Sequence, residues 1–213
     1  MYIPPFNASS PDEIRAMVAA VGSGEIITVG ADGYPVSTLL PVLWQGDTVT
    51  AHFARANPHW RRIEDDSPAL LVVTGPQAYV SPSWYAAKAE HGRVVPTWNY
   101  SAVHFSGRVR VHDDVEWVRA MVTSLTERHE SSRETPWRVD DAPTAYLEAQ
   151  LRGIVGVELT VERVEGKAKL SQNRSVADRV GVVRGLLAQE TGESEAVADA
   201  MRFGLDGPRS ARR

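Results

Sequence analysis

"EIITVGADGYPVSTLLPVLWQGDTVTAHFA", residues Glu25 to Ala54, is the stretch that decides the fold. Short runs of Ile, Val, Thr and Leu are separated by "ADG" and "QGD", turn signals of the kind that join antiparallel strands. "EIITVG", "YPVSTLLPVLW" and "TVTAHFA" therefore read as consecutive strands of a meander. Pro35 and Pro41 cannot donate to a hydrogen-bond ladder, which places the middle strand at an edge or a bulge.

On the N-terminal side, Ser10, Pro11 and Glu13 form a capping pattern for a helix over "IRAMVAAVG", ended by Gly22 and Gly24. Beyond Ala54, "ALLVVTG" reads as a buried strand and "SPSWYAAKAEHG" as a short helix with a glycine stop. "NYSAVHFSGRVRVHD" and "GIVGVELTVERV" alternate as long strands. "VEWVRAMVTSLTERHE", "PTAYLEAQL" and "VADRVGVVRGLLAQ" have helical spacing. The expected fold is α+β, with about six antiparallel strands closing into a small barrel and helices flanking it. Neither a GxGxxG nor a GxxxxGK[ST] loop occurs.

Composition narrows the classes. The 213 residues carry a net charge of −4, which argues against broad nonspecific binding to nucleic acid. No apolar run is long enough to span a membrane, and "MYIPPFNASS" has no apolar signal core, so a cytoplasmic protein is expected. The chain has no cysteine, which removes disulfides, thiol nucleophiles and cysteine-ligated metals. Lys and Arg total 23, yet only Lys88, Lys167 and Lys169 are lysines, and two of these sit within three residues.

Three stretches carry candidate chemistry. In "AHFARANPHW", Asn57 and Pro58 read as the cap and first position of a helix, whose N-terminus would suit an anion beside Arg55 and His52. The same residues would serve equally as an ordinary capped helix with a surface arginine. His52 and His59 have no carboxylate at metal-ligand spacing, so no metal is expected. Gly75 to Phe105 holds Tyr79, Trp84, Tyr85, Trp98 and Tyr100 around Asn99 and His104, and reads as a pocket wall, core or interface. "VEGKAKLSQNR", Val164 to Arg174, is almost wholly polar but poor in turn formers, and Lys169, Gln172, Asn173 and Arg174 are the side chains to hold a ligand.

"ARANPHW", "GPQAYVSPSWY", "VPTWNYSAVHFSGRV" and "IVGVELTVERVEGKAKLSQNR", in that order, resemble the PaiB family of FMN-binding negative transcriptional regulators. Pro5 stands where relatives carry a His before the Phe of the N-terminal motif. The resemblance implies an FMN-binding split β-barrel, a homodimer with flavin at the subunit interface. It nominates His52, Arg55 and Asn57 for the phosphate and Ser37, Thr38 and Leu39 along the ring. Trp98 and Asn99 become a further wall, and Lys169, Gln172, Asn173 and Arg174 a segment reaching the flavin of the neighbouring subunit.

The division that follows is a split-barrel domain over 1–165, a polar segment with C-terminal helices packed on the barrel over 166–202, and a disordered tail over 203–213. Three functions compete: a flavin-binding regulator or sensor, an oxidoreductase using FMN with a nicotinamide donor, and a haem-handling barrel. No catalytic residue is identified. DNA binding would rest on the resemblance alone, because no basic recognition helix is visible in this acidic chain.

Overall fold

Helix α1 (Pro11–Val21) starts where the capping pattern places it. The backbone N–H of Ser10 donates to Glu13 at 2.6 Å, and that of Glu13 donates to the Ser10 hydroxyl at 3.3 Å. The computed structural model describes residues 1–206. Strands β1 (Ser23–Val29) and β2 (Pro35–Pro41) form the expected hairpin, in register from Ser23 opposite Pro41 to Val29 opposite Pro35.

Among the described residues the strand count is seven, one more than the pattern suggested. The run "YPVSTLLPVLW" divides at Val42 into β2 and a separate short strand, β3 (Leu43–Gln45). With β4 (Thr48–Ala54), β5 (Ser67–Val80), β6 (Thr97–His112) and β7 (Ile154–Lys169), the order across the sheet is β2-β1-β5-β6-β7-β4-β3. One residue, Val42, separates β2 from β3, yet they sit at opposite ends of that order. The sheet must therefore curl until its edges meet, which is a barrel. Pro35 and Pro41 lie at the ends of edge strand β2, where a missing N–H costs no ladder bond.

Two units divide the chain. The barrel unit comprises Arg15–Val73 and Val103–Glu165, and the second unit comprises Met1–Ile14, Thr74–Ala102 and the chain from Gly166 onward. Alternation along the strands turns Ile26, Leu40, Val49, Phe53, Leu71, Val73, Phe105, Val109, Val157 and Leu159 inward, and all are buried. Trp44 meets Phe105 edge-on at 4.8 Å between ring centres. Beyond the short helix α2 (Ala87–His91), helices α3 (Val115–Glu130) and α4 (Thr144–Arg152) share a smaller apolar cluster of Val118, Val139, Leu147 and Leu151.

The second unit has its own core. Val80 and Tyr85 pack with Val182 and Leu186 of α5 (Val176–Leu187) and Val197 and Met201 of α6 (Gly192–Asp206). Of the readings open for the aromatic segment, core is the one taken by Tyr85 and, at its margin, Trp84. Tyr79 and Trp98 remain 44% and 47% exposed. Residues 203–206 of the expected tail continue α6, and 207–213 lie outside the described residues.

Candidate functional site

The nominated residues fall into two groups, one in each unit. In the barrel unit, Asn57 caps as expected, its side chain accepting from the N–H of His59 at 2.9 Å. The helix that follows is only a five-residue 3₁₀ turn, Pro58–Arg62, so it carries little of the dipole an α-helix would offer an anion. Arg55 spends its guanidinium inside the unit: Nε donates to the carbonyl of Arg152 at 2.6 Å, Nη2 to that of Ile154 at 3.1 Å, and both Nη atoms to Asp113. That bidentate pair raises the Arg55 pKa and lowers that of Asp113.

Thr38 and His59 belong to a buried polar chain. His59, 1% exposed, has Nδ1 2.7 Å from the Thr38 hydroxyl and Nε2 2.9 Å from the Thr28 hydroxyl. Both ring nitrogens are thereby satisfied by hydroxyls rather than held free for a ligand. The Asn57 amide approaches the Thr38 hydroxyl at 3.5 Å. Ser37 donates to Glu25 at 3.0 Å, and Leu39 is 65% exposed on the outer side of the hairpin. His52, paired across the sheet with Gly156, has a buried Nδ1 without a partner among the described residues.

Burial is the leading cause that lowers the pKa of His52, His59, His104 and His112 below the ordinary 6.5. The unfolded chain then binds more protons than the folded chain as pH drops below about 6.5, so stability is full above that pH and declines beneath it. Thermal midpoints recorded from about pH 7.5 to about pH 5 should fall steadily. A flat profile would mean that these imidazoles accept protons without cost to the fold.

The second unit gathers the other group around a cavity of about 280 Å³. Strand β7 continues from Glu165 through Lys169, residues expected as a polar segment after the last strand, and so places Lys167 and Lys169 two apart on one face. Two residues past the end of the strand, Ser171 has a φ of 62° and turns the chain so that Asn173 and Arg174 also line the cavity. Asn99 is fully buried and exchanges hydrogen bonds with the Ser171 hydroxyl at 3.1 and 3.2 Å, which fixes that turn. Gln172 is taken up locally: its oxygen accepts from the N–H of Leu170 at 2.7 Å and its amide donates to the carbonyl of Ala168. Lys169 donates to the Thr97 hydroxyl and, at 2.7 Å, to the Trp98 carbonyl. Burial lowers its pKa; Tyr100 opposes the shift and the neighbouring Lys167 adds to it. The Trp98 indole is turned to Gln77 at 3.0 Å.

Of the twelve nominated residues, Asn99, Lys169, Asn173 and Arg174 thus share one cavity wall. Reading the sequence missed Lys167, Thr97 and the N-terminal residues Tyr2, Phe6 and Asn7, which line the same cavity. The signal for Lys167 was its i, i+2 spacing from Lys169, which becomes legible only once that segment is known to be a strand. The N-terminal residues reach the cavity because Ala8 bridges to Lys167 and the N–H of Ser9 donates to the Gly166 carbonyl at 3.1 Å.

A sequence profile described as "Putative FMN-binding domain" matches residues 1–163. "Protease synthase and sporulation protein PAI 2" of Bacillus subtilis is 34% identical over 206 residues, covering 94% of this chain and 96% of that protein. "Uncharacterized protein AN0679" of Emericella nidulans is 33% identical over 151 residues, 66% of this chain and 60% of the fungal protein. Among solved structures, the FAD and heme binding protein from Mycobacterium smegmatis superposes with a TM-score of 0.60 at 17% identity, over 82% of this chain and 78% of that one. The conserved hypothetical protein Rv2991 from Mycobacterium tuberculosis does so at 0.58 and 15%, over 83% and 97%. At such identities the structural likeness speaks to the fold alone, an antiparallel split barrel. The profile match and the near full-length identity to PAI 2 place the chain in the PaiB family, whose shared region is an FMN-binding domain.

Proposed function

We propose that this FMN-binding chain is a flavin-dependent regulator or sensor, and that the cavity of the second unit holds the cofactor. One observation carries the placement. Lys167, Lys169 and Arg174 line the cavity and, among the described residues, no carboxylate does, while Tyr2, Phe6 and Tyr85 supply aromatic surface. A planar ligand bearing a dianionic phosphate matches that mixture of cation and ring. FMN would supply one- or two-electron redox chemistry when bound. The chain's own residues would bind and orient it: the Lys169 ammonium and the Asn173 amide as donors, the aromatic rings as walls.

The barrel-unit group supports the placement by contrast, because Arg55, Thr38, Asn57 and His59 already satisfy one another or their neighbours. The regulator reading draws on the likeness to PAI 2, and no residue nominates a substrate. A second copy of the chain is proposed to cover the outer side of the β1–β2 hairpin, where Val29, Tyr34 and Leu39 are 61%, 72% and 65% exposed.

Titration of the purified protein with FMN tests the placement. Lys169→Gln together with Asn173→Ala should weaken binding about ten- to a hundredfold. Arg55→Ala should leave FMN affinity unchanged and lower the thermal midpoint only modestly, since its ion pair is more than a third exposed and solvent-screened. The opposite pattern would move the cofactor to the strand end. Light scattering on the loaded protein should give twice the 23.4 kDa protomer. Turnover with NADH or NADPH would make the protein an oxidoreductase instead of a sensor.

A further inference from the structure

Two cations in the second unit have no counter-charge among the described residues. Lys167 is only 8% exposed, and its ammonium faces the rings of Tyr100 at 5.1 Å and Tyr2 at 5.9 Å. Among the described residues it has no hydrogen-bond acceptor and no carboxylate. Arg174 is half-buried, its guanidinium lies 4.8 Å from the centre of the Tyr85 ring, and it too donates to no acceptor there. Tyr85 itself, 3% exposed, has a buried hydroxyl with no partner among the described residues. All three residues line one cavity together with Lys169 and, among the described residues, without Asp or Glu.

An aromatic face returns only part of the hydration that a buried ammonium gives up. Like charges in one cavity add to that cost. The arrangement leaves a positively charged cavity whose charge an anion would match. Lys supplies a compact point charge and Arg a planar fork, a pairing that suits tetrahedral oxygens better than a single carboxylate.

We propose that Lys167 and Arg174 form a recognition subsite for a dianionic phosphate monoester. The inference rests on the reading that this cavity binds a ligand. It assigns the phosphate to the end of β7 and the turn after it, rather than to the strand end at Arg55. The phosphate could belong to the flavin or to a separate phosphorylated ligand, and the two sources are separable by experiment.

Wild type, Lys167→Met and Arg174→Gln would be titrated with FMN, riboflavin and inorganic phosphate, with the thermal midpoint of each ligand-free protein recorded. Wild type should bind FMN about ten- to a hundredfold more tightly than riboflavin, and each variant should lose that preference while binding riboflavin unchanged. Ligand-free Lys167→Met should melt at a higher temperature than wild type, because one of three like charges around the cavity has been replaced by an apolar chain of similar length. Arg174→Gln, on a less buried position, keeps the test valid should the first variant fold poorly.

If FMN binds all three proteins alike while inorganic phosphate raises the midpoint of wild type only, the subsite stands and its phosphate belongs to a separate ligand. If FMN does not bind wild type but phosphate still does so in this selective way, the flavin placement fails and the subsite survives. Unchanged affinity for both FMN and phosphate in both variants, with a lowered midpoint for Lys167→Met, would overturn the proposal and make Lys167 a packing residue held by its two tyrosines.

Discussion

Gly107→Ala is expected to cost the barrel about 3 kcal/mol or more, a large share of the roughly 5–15 kcal/mol that holds a typical domain folded. Gly107 lies within β6, and a methyl group built there would stand 1.9 Å from the carbonyl oxygen of Thr160 and 2.9 Å from its carbon. Those are backbone atoms of the neighbouring strand β7. A flexible side chain could swing aside, but two strands inside a ladder cannot separate by an ångström without losing hydrogen bonds and the packing beneath them. Val109 and Leu159, close by on the same two strands, are buried in the barrel core and would be displaced with the backbone. Urea denaturation followed by circular dichroism measures the loss. A variant within about 0.5 kcal/mol of wild type would show that the two backbones are not held this close in solution.

The barrel was legible because its strands alternate and its turns carry Gly and Asp, and because Ser10 and Glu13 announce the first helix. The missing seventh strand has a local cause. "LLPVLW" is an unbroken apolar run in which nothing marks Val42 as the point where the chain leaves one edge of the sheet for the other. The end of β7 was hidden for the opposite reason: from Glu165 to Lys169 both faces carry polar or small side chains, so no alternation of hydrophobicity survives to signal a strand.

The site was legible only in part. The cation-rich segment stood out by composition, whereas its division of labour did not. Gln172 closes a turn, Asn99 fixes Ser171, and Lys167 projects beside Lys169, all of which depend on where the strand ends. Arg55 looked free for a phosphate because its partner, Asp113, lies 58 residues away in sequence. The second unit is assembled from three separated segments, and no local pattern reports that Met1–Ile14, Thr74–Ala102 and the chain from Gly166 belong together.

The polar chain through His59 yields the other large expected effect. His59→Leu should destabilise the barrel unit by about 2–4 kcal/mol, since the hydroxyls of Thr28 and Thr38 would each lose a partner inside the protein. Thr28 is 2% exposed, so water cannot replace the imidazole there, and the ring also meets Phe53 edge-on at 5.1 Å. The two hydroxyls clamp β1 to β2 and both to the 3₁₀ turn, which is why one neutral imidazole, donor on one nitrogen and acceptor on the other, suits the position. The cost should come chiefly from stranded hydroxyls, not from lost volume. Thr28→Val and Thr38→Val introduced with His59→Leu should therefore recover most of it, because no buried hydroxyl is then left without a partner and the half-exposed Asn57 amide can turn to water. If the triple variant is no more stable than His59→Leu alone, the imidazole contributes through packing and the hydroxyl chain is incidental to the fold.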